Sequence, residues 1–174
     1  MKRIFLIGYM GAGKTMLGKA LADTMNLTYI DTDHFIENRY RKRISDIFTN
    51  EGENRFREIE HKIISELSDF EDIIISTGGG LPCFNNNMEL MNGKGMTVYL
   101  EVSVNELAAR LEASRNVRPV LQGRSGDELR KFIAENLEKR RLYYEQAKVR
   151  FDVEKMEDEK DVSALVEVLK NNLT

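Results

Sequence analysis

Four short runs rich in apolar and β-branched residues, at 3–7, 28–31, 72–76 and 97–101, are separated by longer stretches whose apolar positions recur every three or four residues. That alternation predicts strands joined by amphipathic helices, and so an α/β layout. A weaker fifth strand is expected at 149–153. The runs at 3–7 and 72–76 are almost continuously apolar, as in strands of a parallel sheet covered by helices on both faces. The helical stretches show apolar faces at Leu17, Leu21 and Met25, at Phe56, Ile59, Ile63 and Leu67, and at Val104, Leu107, Ala108 and Leu111. Ser103 with Glu106, and Ser125 with Glu128, have the spacing of capping boxes, so helices are expected to start after Ser103 and Ser125. The stretch between those two helices, about 114–126, carries Arg115, Arg118 and Arg124 and is long for a simple connection. No Pro/Gly/Ser-rich segment flanks it, so it reads as a mobile flap rather than a linker between two domains.

A chain of 174 residues fits one domain, 1–174, able to bury roughly 70% of the surface of its unfolded form without disulfide or structural metal. The 26 Lys and Arg against 29 Asp and Glu leave a net charge of −3. The general positive field of a nucleic-acid or anionic-membrane binder is therefore missing, and an anion site has to be local. Neither nucleic acid nor membrane is expected as a partner. The amino-terminal apolar run stops at Gly8, Lys14 follows, and no uncharged stretch reaches the roughly 18 residues of a bilayer span, which places the protein in the cytoplasm. A single cysteine, Cys83, excludes an internal disulfide framework and, with no Cys-His arrangement beside it, reads as a packed thiol.

Gly8-Tyr9-Met10-Gly11-Ala12-Gly13-Lys14-Thr15 satisfies G-x-x-x-x-G-K-[ST] and lies between the first strand and a helix. Glycines let the backbone curl until successive N–H groups point inward, and the helix N-terminus adds partial positive charge where a phosphate would sit. Gly11, Ala12, Gly13, Lys14, Thr15 and Met16 are thus expected to hold nucleotide phosphates, with Lys14 reaching the β- and γ-phosphates and the Thr15 hydroxyl serving Mg²⁺. Motor ATPases usually end a following apolar strand on an acidic residue, whereas Ile73-Ile74-Ile75 runs into Ser76-Thr77; the Asn-Lys-x-Asp motif of GTPases is absent. Both observations point away from switches and motors and towards a small-molecule kinase.

Asp31 and Asp33 follow the second strand, and residues two apart in extended backbone project to one side, so both carboxylates are expected to face the ligand crevice. A metal-assisted phosphoryl transfer uses one carboxylate near the metal and one near the acceptor hydroxyl; an Asp-rich turn capping the helix near His34 is the alternative. Gly78-Gly79-Gly80 follows the third strand and offers bare backbone to a ligand. His34 and His61 are read as solvated helix residues. Arg57, with Glu53, Glu60 and His61 at neighbouring turns, reads as half of an exposed ion pair. Arg118 precedes Pro119 in the flap, and Arg140 and Arg141 lie late in a long helix.

Taken together, GYMGAGKT at 8–15, IDTD at 30–33 with Ile36 and Glu37, IF at 47–48, GENRFREIE at 52–60, STGGG at 76–80, RPVL at 118–121 and RRLYYEQA at 140–147 resemble the shikimate kinases, of the nucleoside-monophosphate-kinase-like P-loop group. The segments are in family order and span nearly the whole chain. The resemblance implies a three-layer α/β sandwich with a five-stranded parallel sheet of P-loop NTPase type, a substrate-binding region at about 33–62 and a mobile lid at about 112–126. It implies transfer of the ATP γ-phosphoryl group to the shikimate 3-hydroxyl in aromatic amino acid biosynthesis, with Mg²⁺, by a monomer.

By position, the resemblance implies that Asp33, Arg57, Gly79, Gly80 and Arg140 hold shikimate, that Lys14 and Arg118 hold the transferring phosphate, that Asp33 is the base, that Thr15 and Asp31 belong to the Mg²⁺ site, and that Arg110 packs on adenine. Thr15 replaces the commoner Ser, and Leu142 stands where many relatives have Pro, which leaves Arg140 and Arg141 as alternatives; Tyr144 and Glu145-Gln146-Ala147 favour Arg140. Another kinase of this fold, acting on gluconate or a nucleotide, and a nucleotide-binding module without catalysis are the rival readings.

Overall fold

Residues 2–114 and 121–173 are described by a computed structural model. Its strands are β1 (Arg3–Ile7), β2 (Thr28–Asp31), β3 (Ile73–Ser76), β4 (Met96–Glu101) and β5 (Val149–Asp152). All pair in parallel, in the order β2-β3-β1-β4-β5. Ile4, Phe5, Leu6, Ile7, Ile73, Ile74 and Ile75 are all buried, which is why neither central strand alternates. On β5 only Phe151 is buried, and the edge is completed by an Arg150–Glu101 ion pair at 2.6 Å; this accounts for the weakness of its sequence signal.

The connections are α1 (Lys14–Met25), α2 (Thr32–Tyr40), α3 (Ile44–Glu51), α4 (Glu53–Leu67), a 3₁₀ turn at Leu81–Cys83, α5 (Asn87–Lys94), α6 (Val104–Ala113), α7 (Gly126–Tyr144) and α8 (Glu159–Leu173). Neighbouring strands β1 and β3 send their connections in opposite directions, towards β2 and β4 respectively. A crevice therefore opens at their carboxyl ends, as in other doubly wound sheets. Register brings Asp31 beside Ser76, and Leu6 beside Ser76 on the other side, so the segments after β1, β2 and β3 meet at one rim.

The expected helix faces are occupied by core residues, including Leu17, Leu21, Phe56, Ile59, Ile63, Leu67, Leu107, Ala108 and Leu111. The Ser103 hydroxyl accepts the Glu106 N–H at 3.2 Å and caps α6, but the reciprocal half of the box is missing: the Ser103 N–H donates to Glu154 at 2.7 Å, and Glu106 pairs with Arg110. The Ser125 box does not form. Gly126 opens α7 at φ +55°, Ser125 makes no side-chain cap bond, and the Gly126 N–H donates instead to Glu112 Oε1 at 2.6 Å. A carboxylate from α6 thus satisfies the helix start and ties together the two ends of the expected flap. The flap's centre, residues 115–120 with Arg115, Arg118 and Pro119, lies outside the described residues.

Candidate active site

A cleft of about 1270 Å³ along the crevice takes in Lys14, Thr15, Asp31, Asp33, Gly79 and Arg110. Gly13, the residue before α1, sits at φ +92°, and a Cβ there would come 1.9 Å from Met156 Cε. The backbone conformation requires glycine; the contact is with the end of a flexible methionine, which could shift. Lys14 is half-buried rather than exposed; its ammonium donates to the carbonyls of Gly8 (2.7 Å) and Tyr9 (3.0 Å). The cradle holds its own lysine in place. Thr15 and Met16 are exposed in the first turn of α1, and Ala12 is buried. Arg110 is braced by Glu106 (2.7 Å) and by the carbonyls of Val153 (2.7 Å) and Glu154 (3.1 Å), which fixes a guanidinium plane beside the cradle.

Both Asp31 and Asp33 line the cleft, but not because they alternate along a strand. Asp31 ends β2 and is the N-cap of α2, its Oδ1 accepting the His34 N–H at 3.1 Å, whereas Asp33 already lies in the first helical turn. Capping turns the chain from extended (φ −102°, ψ 125°) into helix, and that bend, rather than pleat geometry, aims Asp33 at the glycine turn. A Cβ on Gly78 would lie 2.6 Å from Asp33 Oδ1. The Thr32 hydroxyl accepts the Gly78 N–H at 3.0 Å and pins the start of α2 to the same turn.

Arg57 is not an exposed surface charge. Its side chain is 14% accessible, lies 2.6 Å from Glu60 and 3.1 Å from Glu53, and has its guanidinium 4.1 Å from the Phe84 ring centroid. It stands against Gly80, where a Cβ would come 2.7 Å from Arg57 Nη1. Arg140 stands against Gly79 at 3.1 Å by the same measure, lies over the Tyr9 ring at 5.1 Å, and has no carboxylate ion pair among the described residues. Successive helix residues are about 100° apart, so only one of Arg140 and Arg141 can reach the turn. Arg141 is 55% accessible and pairs with Glu138 at 3.1 Å. Leu142 is 76% exposed, so the residue that replaces proline disturbs no packing.

Within the turn, the Gly78 N–H and the carbonyls of Gly78, Gly79 and Gly80 all have partners. The N–H groups of Gly79 and Gly80 have no acceptor among the described residues. Two guanidinium groups and two adjacent amide donors thus meet at the glycine turn, a set suited to a carboxylate and hydroxyls; Gly79 lines the cleft, whereas Arg57, Gly80 and Arg140 stand behind its lining.

Glu60, which the sequence offered only as a neighbour of Arg57, is 1% accessible. Burial pushes its carboxyl up to about 7 from the usual 4.5, against the opposing pull of Arg57. A raised native pKa favours the folded state below about 4.5, and that contribution is lost as pH rises through about 7. The denaturation midpoint is therefore expected to fall between pH 5 and pH 8, and the slope to flatten in Glu60→Gln; an unchanged slope in urea titrations at several pH values would contradict it. Cys83 is half-buried behind the turn, its thiol pushed up to about 11 by burial, in keeping with a packed thiol. His61 is not simply solvated: its Nδ1 lies 2.7 Å from Asn87 Oδ1. His34 is exposed. Glu60 had one signal in the sequence, a carboxylate on the apolar stripe of Phe56, Ile63 and Leu67; Thr32 and Met156 had none.

The family model described as shikimate kinase matches residues 10–170. The chain belongs to the shikimate kinase family. A shikimate kinase of Parabacteroides distasonis is 58% identical over 173 residues, covering 97% of this chain and 100% of the relative. The crystal structure of a Bacteroides thetaiotaomicron shikimate kinase superimposes with a TM-score of 0.96 at 47% identity, covering 99% of this chain and 98% of that one. An Acinetobacter baumannii shikimate kinase, solved in complex with shikimate, gives 0.85 at 30% identity, covering 99% and 93%. The activity is accordingly that of a shikimate kinase, ATP-dependent phosphorylation of shikimate in aromatic biosynthesis. A gluconokinase of Sinorhizobium meliloti, one of the rival classes, reaches only 0.55 at 19% identity and shares the fold alone.

Proposed function

We propose that the two ends of this cleft divide the reaction between them: the cradle of Gly11, Ala12, Gly13, Lys14, Thr15 and Met16 holds the ATP phosphates, and Asp33, Arg57, Gly79, Gly80 and Arg140 hold shikimate. The observation that carries this assignment is the convergence of Arg57, Arg140 and the two unpaired N–H groups on the turn that Asp33 faces. The guanidinium groups and the Gly79 and Gly80 N–H groups bind the substrate carboxylate and neighbouring oxygens, which leaves a ring hydroxyl beside Asp33. Asp33 accepts the proton of the 3-hydroxyl as its oxygen forms a bond to the γ-phosphorus; the bond from γ-phosphorus to the bridging oxygen breaks, and ADP leaves. Lys14 moves from the Gly8 and Tyr9 carbonyls to the phosphates, and Arg110 packs on the adenine. Arg118, outside the described residues, is assigned to the transferring phosphate by resemblance alone, as is the lid at 112–126.

Among the described residues no three His, Cys, Asp or Glu side chains group as a metal cage. The exposed Thr15 hydroxyl and the Asp31 carboxylate, both oxygen donors on one cleft, nevertheless fit a hard cation that takes most of its ligands from phosphate and water. Mg²⁺ bound there would neutralise charge on the β- and γ-phosphates. No helix among the described residues is long and apolar enough to cross a membrane. We read the enzyme as a cytoplasmic monomer, a state that sedimentation tests.

A coupled assay with shikimate, gluconate and nucleoside monophosphates should show turnover with shikimate alone; turnover with another acceptor would overturn the substrate end of the assignment. Arg140→Ala should raise KM for shikimate roughly tenfold or more, the loss of a charge-assisted hydrogen bond of about 1.5–3 kcal/mol, and change KM for ATP little. Arg57→Ala should do the same at lower stability, since it leaves Glu60 buried without its closest partner. Arg141→Ala should be nearly silent; a larger effect there than at Arg140 would reverse the choice.

A further inference from the structure

Tyr144 ends α7 with no accessible surface, its ring 5.1 Å from that of Tyr99 on β4 and its hydroxyl donating to the Gly79 carbonyl at 2.5 Å. From these contacts we infer that Tyr144 is a positioning residue for the substrate, its hydroxyl holding the Gly79–Gly80 peptide in one orientation, with the Gly80 N–H directed away from Tyr144 and open to the substrate. This inference rests on the assignment of the glycine turn and Arg140 to shikimate.

The reason lies in the amide plane. The carbonyl of Gly79 and the N–H of Gly80 belong to one trans peptide and point in opposite directions, so fixing the oxygen aims the hydrogen. A peptide between two glycines has no Cβ on either side to oppose its rotation, and the plane can turn over at little steric cost. Among the described residues the Tyr144 hydroxyl is the hydrogen-bond donor that holds the Gly79 oxygen. The Gly80 N–H has no acceptor of its own to resist rotation.

The hydroxyl is itself well placed for the task. Burial raises the Tyr144 phenol above its ordinary value, so it keeps its proton at any working pH. That single proton goes to Gly79, which leaves the phenolic oxygen only able to accept, and the group facing it is the guanidinium of Arg140. Arg140, Tyr144 and the Gly79–Gly80 peptide therefore form one chain of polar contacts, anchored to the sheet through Tyr99. One hydroxyl orders two of the groups assigned to the substrate.

Tyr144→Phe keeps the ring and removes the donor. Steady-state kinetics on the full chain are expected to show KM for shikimate raised roughly fivefold to tenfold, the worth of one hydrogen bond, with KM for ATP within about twofold of wild type. Tyr99→Phe is the control: it removes a hydroxyl from the neighbouring tilted ring without touching the Gly79 carbonyl, and should leave both constants near wild type. If Tyr144→Phe leaves KM for shikimate unchanged while Arg140→Ala raises it, the inference is wrong and the substrate site stands. If Arg140→Ala also has no effect, the site assignment itself has failed. An equal rise in Tyr99→Phe would mean that loosened packing, not the peptide's orientation, sets affinity, and would equally overturn the inference.

Discussion

Lys14→Met is expected to lower kcat by about 10²–10³-fold or more while leaving a folded enzyme. The magnitude follows from removing a preorganised cation aimed at the charge that develops on the phosphoryl group, in a cleft where water screens it poorly. Stability should change little for a reason visible in the cradle. Of the two carbonyls that Lys14 holds, that of Tyr9 also accepts the Ala12 N–H at 3.1 Å, so of this pair the Gly8 carbonyl is the one that loses its donor among the described residues. One partly buried carbonyl without a partner costs on the order of 1 kcal/mol. Near-normal kcat in a variant with a native-like thermal midpoint would remove Lys14 from the transfer step.

Asp33→Asn is expected to cost roughly 100-fold or more in kcat with ATP binding little changed, within the usual range for loss of a general base. Asn keeps the shape and loses the charge and basicity. Two features of the structure sharpen the experiment. The N-cap of α2 is Asp31, not Asp33, so the substitution leaves the helix start alone and a loss of activity cannot be assigned to a lost cap. Asp33 also raises the pKa of Glu60 by charge repulsion, so removing it should ease the ionisation of Glu60 and leave the fold at neutral pH no less stable. Unchanged kcat with shikimate would rule Asp33 out as the base. A fall in kcat accompanied by a large loss of stability would point to structural damage instead.

The parts of this protein legible in its sequence are those carried by contiguous residues. The cradle at 8–15 is one loop with its meaning in the backbone, and the strands at 3–7 and 28–31 coincide with β1 and β2 because continuous or β-branched apolar runs admit few other fates. Asp31 and Asp33 do lie on the rim that the sequence predicts, but strand alternation is not what puts them there. Alternation would have to run through residue 33, whereas capping by Asp31 begins the helix at Thr32, and boundaries of this kind turn on a single hydrogen bond. The same limit explains Ser125, which makes no cap bond while the Gly126 N–H goes to Glu112, a carboxylate fourteen residues before Gly126.

Local pattern, then, determined the α/β order, the phosphate cradle and the identity of the residues available for chemistry, because each is written within a few neighbouring positions. Tertiary structure decided which of those residues act together. Whether Arg140 or Arg141 meets the glycine turn is a matter of helix phase against a fixed sheet; whether Arg57 is a surface charge or a half-buried one depends on Phe84 and on Glu60 at its side. The bond from Tyr144 to Gly79 spans 65 positions in the chain. No local preference encodes a contact of that separation. It exists only once burial of the apolar faces has brought α7 against the turn after β3, and the polar groups that burial traps have had to find one another.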